Sequence, residues 1–110
     1  MVKRSDGIAW TGQQIAARPE DVTVTYGTQL FREMGGYYTD QRHWLNANSS
    51  QDLRQALVIA DRHHFRTAGI VIASDAITLP PLSGWRQTDV TRYDNKFYRH
   101  VRVSTVEREP

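Results

Sequence analysis

The chain contains no cysteine among its 110 residues. That absence excludes a disulfide framework and thiolate chemistry, and it is typical of a reducing compartment. No apolar run approaches the ~18 residues that a membrane-spanning helix needs, so we expect no contact with a membrane. No block of like charges occurs either, and the formal net charge is only +2. The charge pattern alone therefore does not indicate nucleic-acid binding.

The sequence also lacks the short motifs that mark common active sites. It has no G-x-S-x-G hydrolase elbow, no G-x-G-x-x-G fingerprint and no Walker loop. Gly35-Gly36 is too short to indicate a phosphate-binding loop. His63 and His64 are adjacent, so their rings diverge on a regular element and cannot share one ion. We therefore expect no catalytic residue, no metal and no cofactor, and a protein that is not an enzyme.

What the chain does have is a globular composition, with 39% hydrophobic and 10% aromatic residues. At this length we expect one domain over residues 1–110, with residues 1–6 and 107–110 flexible. The predicted fold class is mainly β (α+β). We expect a small β-barrel or sandwich, with a short N-terminal helix over Gly7–Arg18 and a helix in the middle of the chain.

The clearest pattern lies near the end of the chain and predicts a β-hairpin. Two β-rich runs, Trp85–Tyr93 and Lys96–Val103, flank Asp94-Asn95, a pair that tolerates left-handed backbone angles. In the second run one face carries Phe97, Val101, Val103 and Arg99, and the other carries Tyr98, His100, Arg102 and Ser104. Because one face is mostly apolar and the other polar, we expect the hairpin to pack on a core from one side.

Two further strands have local signals. Val22–Tyr26 alternates and is β-branched, and Gly27 follows it as an end signal. Ile70–Ala73 is a short continuous apolar run, typical of an inner strand. Gly69 is predicted to end the segment that precedes this strand. Leu30–Met34 is a weaker candidate for another strand.

Gln51–Phe65 predicts a helix, because its apolar residues fall at helical spacing. Ser49 or Ser50 would cap its N-terminus. By length alone, Ala56–Ala60 also suits a buried strand, so the alternative stays open at this point.

Arginine and aromatic side chains interleave on the predicted hairpin, and this suggests two kinds of partner. On strands, such residues can stack bases and neutralise phosphates. Aromatic residues and arginine are also enriched at the centres of protein interfaces. The candidate partner-binding residues are Trp44, Trp85, Arg92, Tyr98, Arg99 and Arg102.

The order of turns and strands supplies a resemblance. Gly7–Trp10 opens a short helix, Val22–Gly27 is a first strand, and Ile70–Ile77 leads into a proline-rich loop ending at Gly84, before the hairpin around Tyr93–Tyr98. This order resembles small head–tail joining proteins of tailed bacteriophages and prophages. The resemblance implies a β-barrel or sandwich and a structural protein of the virion neck, a connector or stopper whose copies form a ring.

The partners that the resemblance implies are copies of the same chain and neighbouring portal, adaptor or tail proteins, in a virion assembled in the host cytoplasm. The sequence departs from the family pattern at two turns. The family's Gly-Asp turn is Gly84-Trp85 here, its aspartate–glycine turn is Asp94-Asn95, and Tyr37–Phe65 has no counterpart. The alternative is a small single-domain accessory protein of a mobile element that binds nucleic acid, including DNA, or another protein.

Overall fold

The structure is a computed structural model, and it describes residues 14, 15, 17–27, 43–74, 76–93 and 101–110. Within that part of the chain the elements are β1 (Val22–Tyr26), β2 (His43–Ala47), α1 (Ser50–Arg62), β3 (Thr67–Ile72), β4 (Trp85–Tyr93) and β5 (Val101–Arg108). The predicted class, mainly β with a middle helix, is confirmed.

The five described strands form one sheet in the order β2-β1-β3-β5-β4. β1 pairs in parallel with β2 and β3, and β5 pairs in an antiparallel sense with β3 and β4. The connection from β2 through α1 to β3 crosses over β1, as parallel pairing requires. Among the described strands, this crossover places α1 over one face of a single sheet in which β2 and β4 are the outermost strands.

The helix begins as the sequence predicts. Ser49 is the N-cap, and its Oγ accepts a hydrogen bond of 3.1 Å from the backbone N–H of Asp52. The carboxylate of Asp52 lies in the first turn, where the helix dipole favours a negative charge. The buried face of α1 consists of Leu53, Ala56, Leu57 and Ala60. The helix interpretation is confirmed, and the strand alternative for this segment is wrong.

The two adjacent histidines close the helix. His63 is the C-cap and His64 follows it with a φ of 62°. The N–H of His64 donates to the carbonyl of Asp61 at 3.0 Å, and the N–H of Phe65 donates to the carbonyl of Ala60 at 2.9 Å. These two bonds form a Schellman motif. The helix predicted over Gln51–Phe65 would include both histidines; they lie at the end of α1 and just beyond it.

Both faces of the sheet are covered. The core on the face that α1 covers, called the helix face, comprises Val22, Val24, Ala47, Leu53, Ala56, Leu57, Ala60, Ala68, Ile70, Ile72, Trp85 and Val106. The core on the opposite face comprises Ile15, Trp44, Val71, Val101 and Val103. Val101 and Val103 therefore face inward as predicted. Ser104 is also buried, on the other side of the same strand, because β5 lies between β3 and β4.

A bulge lets β4 contribute to both cores. The register of β4 on β5 shifts between Gln87 and Asp89, so Thr88 is an extra residue. Because side chains alternate with a period of two, the extra residue moves the following side chains to the other face. Trp85 thus packs in the helix-face core, while Tyr93 packs on the opposite face.

Gly69 does not lie between two segments, as predicted. It lies inside β3, where it pairs with Thr23 of β1 and Thr105 of β5. A Cβ atom at this position would lie 3.1 Å from Cγ1 of Val103 and 3.4 Å from the carboxylate of Glu20. A side chain here would crowd Val103 and Glu20, so the glycine suits a close approach within the sheet.

The end of the chain belongs to the sheet. β5 runs through Arg108, whose N–H donates to the carbonyl of Arg66 at 2.8 Å. The N–H of Glu109 donates to the carbonyl of Gly84, also at 2.8 Å. Residues 107–110 were expected to be flexible, but these pairings hold most of them in place.

Several predictions fall on parts of the chain outside the described residues. They are the tail of residues 1–6, most of the helix over Gly7–Arg18, the strand over Leu30–Met34 and the turn at Asp94-Asn95.

Candidate functional site

The sheet that the described strands form has two edges that could meet a partner. Among the described strands, β4 is paired only with β5, and β2 is paired only with β1. A strand edge presents N–H and C=O groups that can pair with another chain. β2 and β4 stand at the two ends of the strand order. They run in the same direction, because β4 is antiparallel to β5, β5 is antiparallel to β3, and β3 is parallel to β1 and, through it, to β2.

The β4 edge is polar apart from one aliphatic side chain. Its exposed residues are Arg86, Gln87, Thr88, Asp89, Val90 and Arg92. That aliphatic side chain is Val90, which is 44% exposed. Val90 pairs with Ser104, and Arg92 pairs with Arg102, so both side chains point to the helix face of the sheet.

The β2 edge borders an apolar groove between β2 and α1, on the same helix face. One part of this groove has a volume of about 210 Å³ and is lined by Leu45, Asn46, Asp52, Gln55, Ala56 and Ile59. A neighbouring part of about 170 Å³ shares Leu45 and Ile59 and is lined further by Val22, Trp44, Ala60, His63 and Phe65. Ile59 is 41% exposed. The groove thus combines apolar side chains with polar ones, among them the carboxylate of Asp52.

The two predicted tryptophan contacts lie in the interior. Trp44 is 9% exposed and Trp85 is 7% exposed. Trp85 belongs to the helix-face core and Trp44 to the core on the opposite face. Burial of so large an apolar area stabilises the fold by itself, so neither ring presents a surface to a partner.

The predicted arginine contacts have different environments. Arg92 is exposed on the β4 edge. Arg102 is half-buried, and its guanidinium donates to the carbonyl of Ser74 at 3.0 Å and to the carbonyl of Ile77. Arg102 therefore anchors the loop that follows β3. The other two predicted contacts, Tyr98 and Arg99, lie outside the described residues. The structure does not bring the six predicted residues together.

A buried polar cluster lies on the opposite face, around Arg18. Its Nε donates to the two oxygens of Glu20 at 2.7 and 3.0 Å, and its other nitrogens donate to the hydroxyls of Tyr93 and, at 3.1 Å, Thr105. Burial lowers the pKa of Arg18, but the hydrogen bonds to Tyr93 and Glu20 and the charge of Glu20 outweigh it, so this pKa is raised. The cluster ties the segment before β1 to β4 and β5.

A third arginine is also held within the fold. Nε of Arg108 lies 2.9 Å from Oδ1 of Asp61, and another of its nitrogens donates to the carbonyl of Gly84 at 2.8 Å. This ion pair joins the end of β5 to α1 across a groove of about 200 Å³ whose lining includes Leu57 and Trp85. Three of the described arginines therefore serve internal contacts.

Sequence reasoning missed the groove beside β2. Its signal was present in Ala56–Ala60, where five apolar residues in succession exceed the stripe that one buried helix face requires. Val58 and Ile59 are the surplus, and they are 49% and 41% exposed.

Within the described part of the chain, no group of three or more histidine and acidic side chains could hold a metal ion. No helix in that part is long and apolar enough to cross a membrane.

No protein-family model matches the chain. Comparison with curated proteins gives no match either.

Proposed function

We propose that this protein is a non-enzymatic assembly protein whose copies associate head to tail into a ring. The observation that carries the proposal is an open sheet with two different unpaired edges, β2 and β4, among its described strands. A ring requires a heterologous contact, in which two different surfaces of the same chain meet and the rotation closes. The two edges of one sheet are such a pair of surfaces.

The direction of the strands supports a ring. Because β2 and β4 run in the same direction, a copy set beside another can place its β4 along the neighbour's β2 in parallel. In that arrangement α1 of every copy lies on the same side of the extended sheet. If the same contact is repeated around an axis roughly parallel to the strands, the ring closes. Every β2 edge is then paired with the β4 edge of a neighbouring copy.

The biological role that we propose for the ring is that of a connector in the neck of a phage virion, between the portal and the tail. Support for this role comes from the resemblance in the order of turns and strands. The described strands form a single five-stranded sheet. The edges of that sheet supply a means of self-association, which a connector needs.

Binding of DNA has less support from the geometry. Arg18, Arg102 and Arg108 donate hydrogen bonds to groups of their own chain. Phosphate binding normally requires several free cations on one surface. The described arginines do not supply such a group on the predicted hairpin.

Size-exclusion chromatography with light scattering over a range of protein concentrations, followed by negative-stain microscopy, tests the proposal. We expect a closed oligomer of defined mass that appears as a ring. A strict monomer at every concentration, with no binding to portal or tail proteins, would contradict it. Binding to duplex or single-stranded oligonucleotides that weakens steeply with salt would favour the accessory-protein alternative instead.

A further inference from the structure

We infer that the ring contact is a parallel pairing of β4 of one copy with β2 of the next, with Val90 in the groove beside Ile59 and Arg92 next to Asp52. The inference rests on the proposed self-association and specifies the surfaces that meet. The occupant of the groove is therefore a second copy of this chain.

Apolar surface is matched on the two edges. Val90 is exposed on the helix face of β4, and the groove formed by Leu45, Ala56 and Ile59 is open on the helix face of β2. A continuous sheet keeps these faces on the same side, so the valine of one copy faces the groove of the next. The groove volume of about 210 Å³ is several times the ~30 Å³ that one water occupies, which is room for a branched side chain.

Charge is matched in the same register. Along parallel strands, side chains on one face recur every second residue, so Val90 opposite Leu45 places Arg92 opposite Ala47. Asn48 follows Ala47 directly, and its N–H donates to the carboxylate of Asp52 at 3.2 Å. The exposed guanidinium of Arg92 thus comes beside an exposed carboxylate. An antiparallel pairing through Val90 and Leu45 would carry Arg92 to the other end of β2.

The lengths of the two edges also agree. The bulge at Thr88 interrupts β4, and the regular part beyond it is Asp89–Tyr93. β2 has five residues, His43–Ala47. With Val90 opposite Leu45, Asp89–Arg92 lies opposite Trp44–Ala47, so the regular part of β4 covers all of β2 except His43, which faces the bulge.

A charge exchange tests the salt bridge of this contact. Arg92→Asp and Asp52→Arg should each raise the dissociation concentration of the oligomer roughly tenfold or more, because each sets like charges against each other. The double variant Arg92→Asp/Asp52→Arg should recover most of the loss, since the pair is restored between copies. Arg54→Asp, an exposed charge change elsewhere on α1, is the matched control and should leave association unchanged. Circular dichroism melts verify that each variant is folded.

Disulfide trapping tests the register. The chain has no cysteine, so each introduced thiol is unique. With Val90 opposite Leu45, Thr91 lies directly opposite Asn46, at a cross-strand separation that a disulfide fits. Mixed Asn46→Cys and Thr91→Cys proteins should form a covalent dimer on oxidation, and neither should do so alone. Asn46→Cys mixed with Asp89→Cys, two residues out of register, should not.

The outcomes separate the two proposals. Loss and recovery in the charge exchange, with the cross-link between positions 46 and 91, support the contact. Rings that survive both single charge variants and give no such cross-link would overturn the contact and leave self-association standing. A monomer at every concentration would overturn both.

Discussion

β4 and β5 lie side by side and alternate polar with β-branched residues, yet their burial differs. Val101–Val106 of β5 is buried or half-buried throughout, whereas Arg86–Val90 of β4 is exposed. The cause is position in the sheet, because β5 has a paired strand on each side and β4 is paired on one side within the described strands. The number of neighbouring strands, more than the residue types within the strand, decides how deeply each side chain is buried.

The same substitution placed in the two strands gives the largest expected effect. Val101→Asp puts a carboxylate into the core opposite the helix face, where Val101 is 0% exposed. We expect a loss of about 4 kcal/mol or more in the free energy of unfolding, a large part of the ~5–15 kcal/mol of a small domain. Val90→Asp, on the exposed edge, should cost less than about 1 kcal/mol.

Urea unfolding followed by tryptophan fluorescence measures both variants. The control is the slope of the transition, which should stay the same if the native state keeps its compactness. Equal losses in the two variants, or a benign Val101→Asp, would show that β5 does not lie inside the sheet.

The elements that the sequence predicted correctly have local signals. The strand Val22–Tyr26, the cap at Ser49 and the turn at Gly84 each depend on a few adjacent residues. The burial of Val101 and Val103 was also predictable, because alternation is a local property.

The features that the sequence missed depend on residues far apart in the chain. Gly69 reads as a breaker until Val103 and Glu20 are seen beside it. Ser104 reads as a surface residue until both neighbours of β5 are known. The order of the described strands depends on long-range pairing, which residue patterns do not encode, so the crossover of β1 could not be predicted.

The candidate site was less predictable than the fold. Residue type predicts both arginine and tryptophan as interface anchors, but the exposed fractions of their side chains differ. Trp85 lies in the core, and Arg92 remains exposed. Ile59 of α1, whose exposed side chain borders the groove beside β2, lies within an apolar run that predicts a buried helix face.

The bulge offers a second way to sharpen the contrast between the two strands. Deletion of Thr88 removes the extra residue but leaves Trp85 and Tyr93 on opposite faces, because seven positions of regular alternation then separate them. We therefore expect it to cost less than about 1 kcal/mol. Deletion of Thr105 from β5, which has no extra residue, would put Val101 and Val103 on the same face as Val106 and should cost about 3 kcal/mol or more. Thr88→Ala keeps the extra residue and should cost less than about 1 kcal/mol.

Thermal and urea unfolding measure both deletions, and near-ultraviolet circular dichroism reports on the packing of the two rings. Equal losses for the deletions of Thr88 and Thr105 would mean that Thr88 is not an extra residue in β4.

The smallest expected effect on stability concerns two arginines that lie opposite each other, Arg92 on β4 and Arg102 on β5. Alternation placed Arg102 in solvent, but its guanidinium donates to the carbonyls of Ser74 and Ile77. Arg102→Ala leaves both oxygens without that donor, and we expect a loss of about 2 kcal/mol. Arg92→Ala should change stability by less than about 0.5 kcal/mol, because it also relieves the repulsion between two like charges placed directly opposite each other.

Chemical unfolding of the two alanine variants under identical conditions measures this difference, with Arg102→Lys as the control. A lysine keeps the charge, but its single ammonium does not reproduce the planar fork that bridges two carbonyls, so it should recover only part of the loss. Complete recovery by lysine would mean that charge rather than bridging stabilises the loop after β3. Equal values for the two alanine variants would mean that Arg102 is as solvated as Arg92, and that the burial of β5 does not extend to its helix face at this position.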